Sequence, residues 1–264
     1  MEKNKKRSLS FKDVQINLND SMHDTINKYY HARMELVELV TISTKNRRVY
    51  DNSINNLVSK KKLDERQRAQ LAKDLQAKAL ELAKVQAFKK KQNDIFMECF
   101  SVIPESLLKA FGNKSNDLST FRKELEKFFS DNGITMTDSM FQLVNQFGIT
   151  SSGNSLRISN QHIKVESNKK FSTFLFDVIL QCALDNELIQ KINIDYVKEL
   201  KAEEVHSLDC FLKSINEVKK PKNLTEYKKV FKELGIATPK ETNKQGYAKA
   251  FAKYVRTINS VLVD

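Results

Sequence analysis

The sequence predicts an all-α protein: a long N-terminal helical hairpin or coiled coil followed by a compact helical bundle. Three observations predict it. Residues 1–111 contain no glycine and one proline, Pro104, so the strongest helix breakers are nearly missing there. Apolar residues through most of the chain recur at three- and four-residue steps, the spacing of one helix face. Beyond Pro104, single glycines at 112, 133 and 148 divide the chain into helix-sized pieces.

Taken in order, residues 1–19 predict a flexible basic arm, with Lys3, Lys5, Lys6, Arg7 and Lys12 among polar neighbours. Asp20 or Ser21 can cap a first helix, whose face carries Met22, Ile26, Tyr29, Tyr30, Met34, Val37 and Val40. Thr41 to Ser43 and the polar run around Arg47 predict fraying near residue 44, with a short helix after it through Ile54, Leu57 and Val58. Residues 63–99 form the clearest element. Leu71, Leu75, Ala79, Leu82 and Val85 make an apolar stripe, and its alanines permit close approach of another helix. The stripe departs from a strict heptad, which favours a hairpin over a dimeric coiled coil and leaves both open.

After Pro104 a short helix is predicted to stop at Gly112. A second starts at Asp117 or Ser119 and stops at Gly133; a third is capped by Thr137 and closed by Gly148. The alternation of Leu156, Ile158, Ile163 and Val165 with polar residues suits a small β-hairpin near 154–166, or a linker between domains. Residues 171–192 read as the central core helix, and residues 195–218 as one more. Thr225 caps a helix ending at Gly235, Thr238-Pro239 fits a helix start, and a closing helix follows from Tyr247 to Val261. The predicted domains are therefore 1–19, 20–103, 104–218 and 219–264.

The net charge of +12 is unevenly spread. Residues 1–111 carry 22 Lys/Arg against 14 Asp/Glu, residues 112–212 carry 11 against 14, and residues 213–264 carry 12 against 5. Two basic ends around a mildly acidic middle predict polyanion contact at the ends. No apolar run reaches the length needed to cross a bilayer, no secretory signal is recognisable, and the three cysteines, Cys99, Cys182 and Cys210, do not form a disulfide framework. A cytoplasmic protein without a membrane partner is expected.

The segment Phe231-Lys-Glu-Leu-Gly-Ile-Ala-Thr-Pro-Lys resembles the helix-turn-helix region of serine-recombinase-type DNA-binding modules, through Leu234, Gly235, Ile236, Thr238 and Pro239. The resemblance covers about thirty residues, includes no recombinase catalytic domain, and implies a DNA-binding fold. Independently, Lys249, Lys253 and Arg256 share one side of the last helix, opposite Phe251, Val255 and Ile258. Lys219, Lys220, Lys222, Lys228 and Lys229 extend the basic set, and Tyr247 could add a stacking contact. Only Arg122, Arg157 and Arg256 represent arginine in the last 150 residues, so backbone-led binding is expected over base readout.

Catalytic and metal patterns are weak. Glu203, His206 and Cys210 lie one helical turn apart, with no second cluster to complete a metal site. His162-Ile-Lys164 lacks the downstream aspartate of a phospholipase-D-like centre, and no glycine-rich phosphate loop occurs. The expectation is a non-enzymatic DNA-binding accessory protein without a cofactor, of a phage or other mobile element, with DNA favoured over RNA. The alternative is a helical protein-interaction module, an inhibitor or assembly subunit, docking or self-associating through Leu71, Leu75, Ala79, Leu82 and Val85.

Overall fold

A computed structural model describes residues 11–12, 14–147, 161–192, 194, 204–218 and 221–260. Among them the protein is all-α: α1 (Asp20–Ser59), α2 (Glu65–Phe100), α3 (Glu105–Asn113), α4 (Leu118–Asp131), α5 (Asp138–Gln146), α6 (Gln161–Asp185), α7 (Glu204–Glu217), α8 (Leu224–Leu234) and α9 (Lys244–Asn259). No strand occurs among the described residues; the one isolated bridge joins Ile16 and Ile134.

The chain forms two compact units, one from Met1–Glu35 with Lys91–Asp195, the other from Leu36–Lys90 with Tyr196–Asp264. This division differs from the predicted boundaries. The long helices α1 and α2 each contribute to both units, so a contiguous cut at residues 20 and 103 cannot separate the two cores.

In unit 1, α6 supplies the centre: Phe171, Leu175, Phe176, Ile179, Cys182 and Ala183 are fully buried. Phe171 stacks on Phe111 of α3, ring centroids 3.9 Å apart and nearly parallel. Each buried ring of this kind contributes about 2–3 kcal/mol by leaving water. Asp117 and Thr137 cap α4 and α5 as predicted, accepting from the backbone N–H of Thr120 and Met140. Gly133, at φ +75°, closes α4 as predicted, and a Cβ there would lie 1.8 Å from the Asn17 carbonyl.

Several expectations are corrected. Residues 11–19 are no arm: Phe11 and Val14 are buried. The Phe11 N–H donates to Asp185 (2.7 Å), and the Asn17 N–H to the Gly133 carbonyl (2.7 Å). Residues 1–10 lie outside the described set. Helix α1 does not break at residue 44, because its hydroxyls bond without displacing the helix ladder. Thr41 donates to the Val37 carbonyl and Ser43 to the Glu81 carbonyl on α2. Its cap is Asn19, which accepts from the Met22 N–H, in place of Asp20 or Ser21. Gly112 lies inside α3, which runs on to Asn113. Residues 161–166 belong to α6, so Ile163 and Val165 are helical and do not form a strand. Leu156 and Ile158 lie outside the described residues. Helix α6 also ends earlier than residue 192, at Asp185, with Glu187 in the left-handed region at φ +59°.

Candidate nucleic-acid interface

Unit 2 builds its core from four helices. Ile54, Leu57 and Val58 of α1 pack with Leu71, Leu75 and Ala79 of α2, Phe211 and Ile215 of α7, and Tyr254 and Ile258 of α9. The stripe predicted as a docking face is thus largely interior. Leu71, Leu75 and Ala79 are buried, Leu82 packs partly buried on the same cluster, and Val85 is half-buried. The period of the stripe was right; its destination was the core of this chain.

A polar clamp holds the end of α8 inside unit 2. Lys78, 1 % exposed, places its ammonium 2.5 Å from the Asp51 carboxylate and donates to the Leu234 carbonyl. Burial pushes the Lys78 amine below its ordinary pKa, against the pull of Asp51. Asn55 donates to the Gly235 carbonyl (2.8 Å) and accepts from the Ala237 N–H (3.0 Å). Gly235 ends α8 as predicted, in the left-handed region at φ +65°, and a Cβ there would fall 2.2 Å from an Asp51 oxygen. The Tyr254 hydroxyl is buried nearby without a hydrogen-bond partner among the described residues.

This clamp fixes the start of the segment that leads to the basic helix. Asn223, in place of Thr225, caps α8 through the Glu226 N–H. Helix α9 begins at Lys244, three residues before the predicted Tyr247, because Asn243 accepts from the Gly246 N–H (2.8 Å) and supplies the cap; no helix starts at Thr238-Pro239. The connection, residues 235–243, is nine residues, against the three or four of a tight helix-turn-helix. It folds back against α9: a Cβ on Gly246 would lie 2.0 Å from the Glu241 carbonyl.

Helix α9 has the two faces that its sequence predicts, with one exchange. Tyr247, Tyr254 and Ile258 point inward, and Phe251 and Val255 are half-buried. Tyr247 is 4 % exposed, its ring 4.7 Å from that of Phe231. It is a core residue and is not placed to stack on a ligand. Gln245, Lys249, Ala252, Lys253 and Arg256 are exposed on the outer side.

Lys249 and Lys253 line an open depression with Lys240, Glu241 and Pro239 of the preceding loop. Lys253 also donates to the Ser59 carbonyl (2.8 Å), which places α9 beside the α1–α2 connection. There Lys60, Lys61 and Lys62 are all exposed. Lys222, just before α8, and Lys228 and Lys229 on it are exposed, and Lys229 approaches Glu233 at 3.9 Å; none of the three lines the depression. Lys219 and Lys220 lie outside the described residues.

Sequence reading missed Lys240 and residues 60–62 as partners of α9. The lysine run was visible, but its neighbour is 194 positions away.

The charge follows the units. Unit 2 carries 27 Lys/Arg against 15 Asp/Glu, and unit 1 carries 18 of each, so the whole +12 belongs to unit 2. Among the described residues no group of three or more His, Cys, Asp and Glu could hold a metal ion. Glu203 and the side chain of His206 fall outside them. No described helix is long and apolar enough to cross a membrane. Comparison with protein-family models, curated proteins and solved structures finds no match to this chain.

Proposed function

We propose that this protein is a DNA-binding accessory protein that holds DNA through unit 2, chiefly by neutralising backbone phosphates. The observation that carries the reading is the charge division: unit 1 is neutral by count, while unit 2 holds the entire net charge. A net positive charge kept for solubility has no reason to be confined to one unit. A polyanion contact does, because attraction and counterion release act where the cations are concentrated.

The built surface supports the same reading. Lys249 and Lys253 from α9 and Lys240 from the loop before it line one depression, beside the exposed lysines 60–62. Docking of a protein through the Leu71, Leu75 and Ala79 stripe would require opening the core of unit 2, which argues against that alternative.

The test is a mobility-shift titration of the whole chain on DNA at 50 and 200 mM salt. About six phosphate contacts imply an affinity loss of about 10³-fold between the two. Failure to retain DNA at the lower salt would overturn the proposal.

A further inference from the structure

We propose that the form of DNA held by this surface is the duplex, gripped sequence-neutrally, with one backbone phosphate seated in the depression of Lys240, Lys249 and Lys253. The inference rests on the DNA-binding reading and goes on to name the ligand's form. Proteins that hold single strands combine a cationic groove with exposed aromatic rings on which bases stack, each worth about 1–3 kcal/mol. The described rings of unit 2 are withdrawn from the surface. Phe88, Phe211, Tyr227, Phe231, Tyr247 and Tyr254 are buried. Tyr50 and Phe251 are half-buried against the core clusters. Among the described residues of unit 2, no aromatic side chain is exposed. Among these residues an unpaired base finds no exposed ring to stack on, which favours recognition through phosphates.

The shape of the cationic set points the same way. Gln245, Lys249, Ala252 and Arg256 follow one another at steps of four, three and four residues, which keeps them on one face of α9. Lys253 flanks that face. A helix of 16 residues is about 24 Å long and offers a straight edge, suited to a stiff groove and its bordering phosphates. The major groove of B-form DNA is wide enough to admit a helix; that of A-form RNA is too deep and narrow. Lysine dominates the set, and its rotatable point charge suits phosphate better than bidentate base readout.

Fluorescence anisotropy of the full chain distinguishes the outcomes. The probes are a labelled DNA duplex, its separated single strand, a duplex of shuffled sequence and the matching RNA duplex. Expected is at least about tenfold tighter binding to the DNA duplex than to the strand, and agreement within about threefold between the two DNA duplexes. The pair Lys240→Ala and Lys249→Ala should make the slope of log affinity against log salt shallower by about 0.9, the share of that one phosphate. Equal or tighter binding of the single strand or of the RNA duplex would overturn the inference and leave the polyanion reading standing. Strong discrimination between the DNA sequences would also overturn it, as would an unchanged slope in the double variant. No binding of any probe at 50 mM salt would overturn both.

Discussion

The ammonium of Lys78 and the carboxylate of Asp51 meet 2.5 Å apart in unit 2, and the lysine is withdrawn from water almost completely. A second acceptor, the Leu234 carbonyl, ties the pair to the last turn of α8. Removing one member leaves the other charge without its partner, which costs about 3–5 kcal/mol at fully buried sites. The Asp51 side chain keeps 20 % of its exposure, so the lower end of that range applies to Lys78→Met. Urea unfolding measures it. The double variant Asp51→Leu with Lys78→Met should lose less than either single change, because no buried charge is left alone.

Gly235→Ala is expected to destabilise through two separate effects. The left-handed backbone at φ +65° costs an alanine about 1 kcal/mol, and its Cβ would also enter the Asp51 carboxylate. Adding Asp51→Ala removes the collision and leaves the backbone cost, so a double-mutant cycle should show favourable coupling between the two sites. Simple additivity would contradict the packing of Asp51 against the glycine.

How much of this was legible is clearest at the helix ends. Asp117, Thr137 and Gly235 could be read directly, since each carries the one side chain or conformation its position requires. At Asn19, Asn223 and Asn243 the sequence offered several cap-forming residues within a few positions, and tertiary packing chose among them. The buried Lys78 was not legible, because a lysine in a helix reads as a solvated face. Its partners stand 27 residues before it and 156 after it. The charge division was hidden for a related reason. Unit 2 is assembled from two separated stretches, and contiguous counting mixed basic α1 and α2 residues with the neutral unit.

Two buried tyrosines should behave oppositely when the hydroxyl is removed. Tyr29 donates to Asp177 at 2.7 Å and accepts from Arg33 at 3.0 Å, so Tyr29→Phe should cost about 1.5–3 kcal/mol. The Tyr254 hydroxyl has no partner among the described residues, so Tyr254→Phe should be neutral or stabilising by up to about 1 kcal/mol. Thermal unfolding of the two variants at neutral pH checks the contrast.

The same two phenols should make stability fall at alkaline pH. Burial first, and then Asp177 for Tyr29 and Asp51 for Tyr254, push both pKa values up. The folded chain therefore keeps protons that the unfolded chain releases near pH 10, and stability falls as pH rises above that value. Lys78 contributes with the opposite sign. Its amine is held below its ordinary value, so its contribution rises with pH until the unfolded lysine also deprotonates. Tyrosinate absorbance followed against pH should show Tyr29 and Tyr254 ionising above the ordinary phenol value. Their phenylalanine variants should flatten the alkaline decline of the unfolding midpoint.

Reversal of charge in the α1–α2 connection separates binding from folding. Lys60, Lys61 and Lys62 are exposed, and the hydrogen bond that brings α9 to this turn uses the Ser59 carbonyl, a backbone atom that substitution leaves in place. Lys60→Glu, Lys61→Glu and Lys62→Glu together should therefore leave the urea midpoint within about 0.5 kcal/mol of the parent, as surface changes do. The same triple variant replaces three cations by three anions beside the proposed phosphate seat. Its affinity for duplex DNA at 50 mM salt should drop by at least about tenfold, with a shallower salt dependence. The unrelated pair Lys123→Glu and Lys127→Glu, on α4 of the neutral unit, serves as the comparison: equal loss per reversed charge from both sets would mean that total charge, and not the surface joined by Lys253 and Ser59, governs binding.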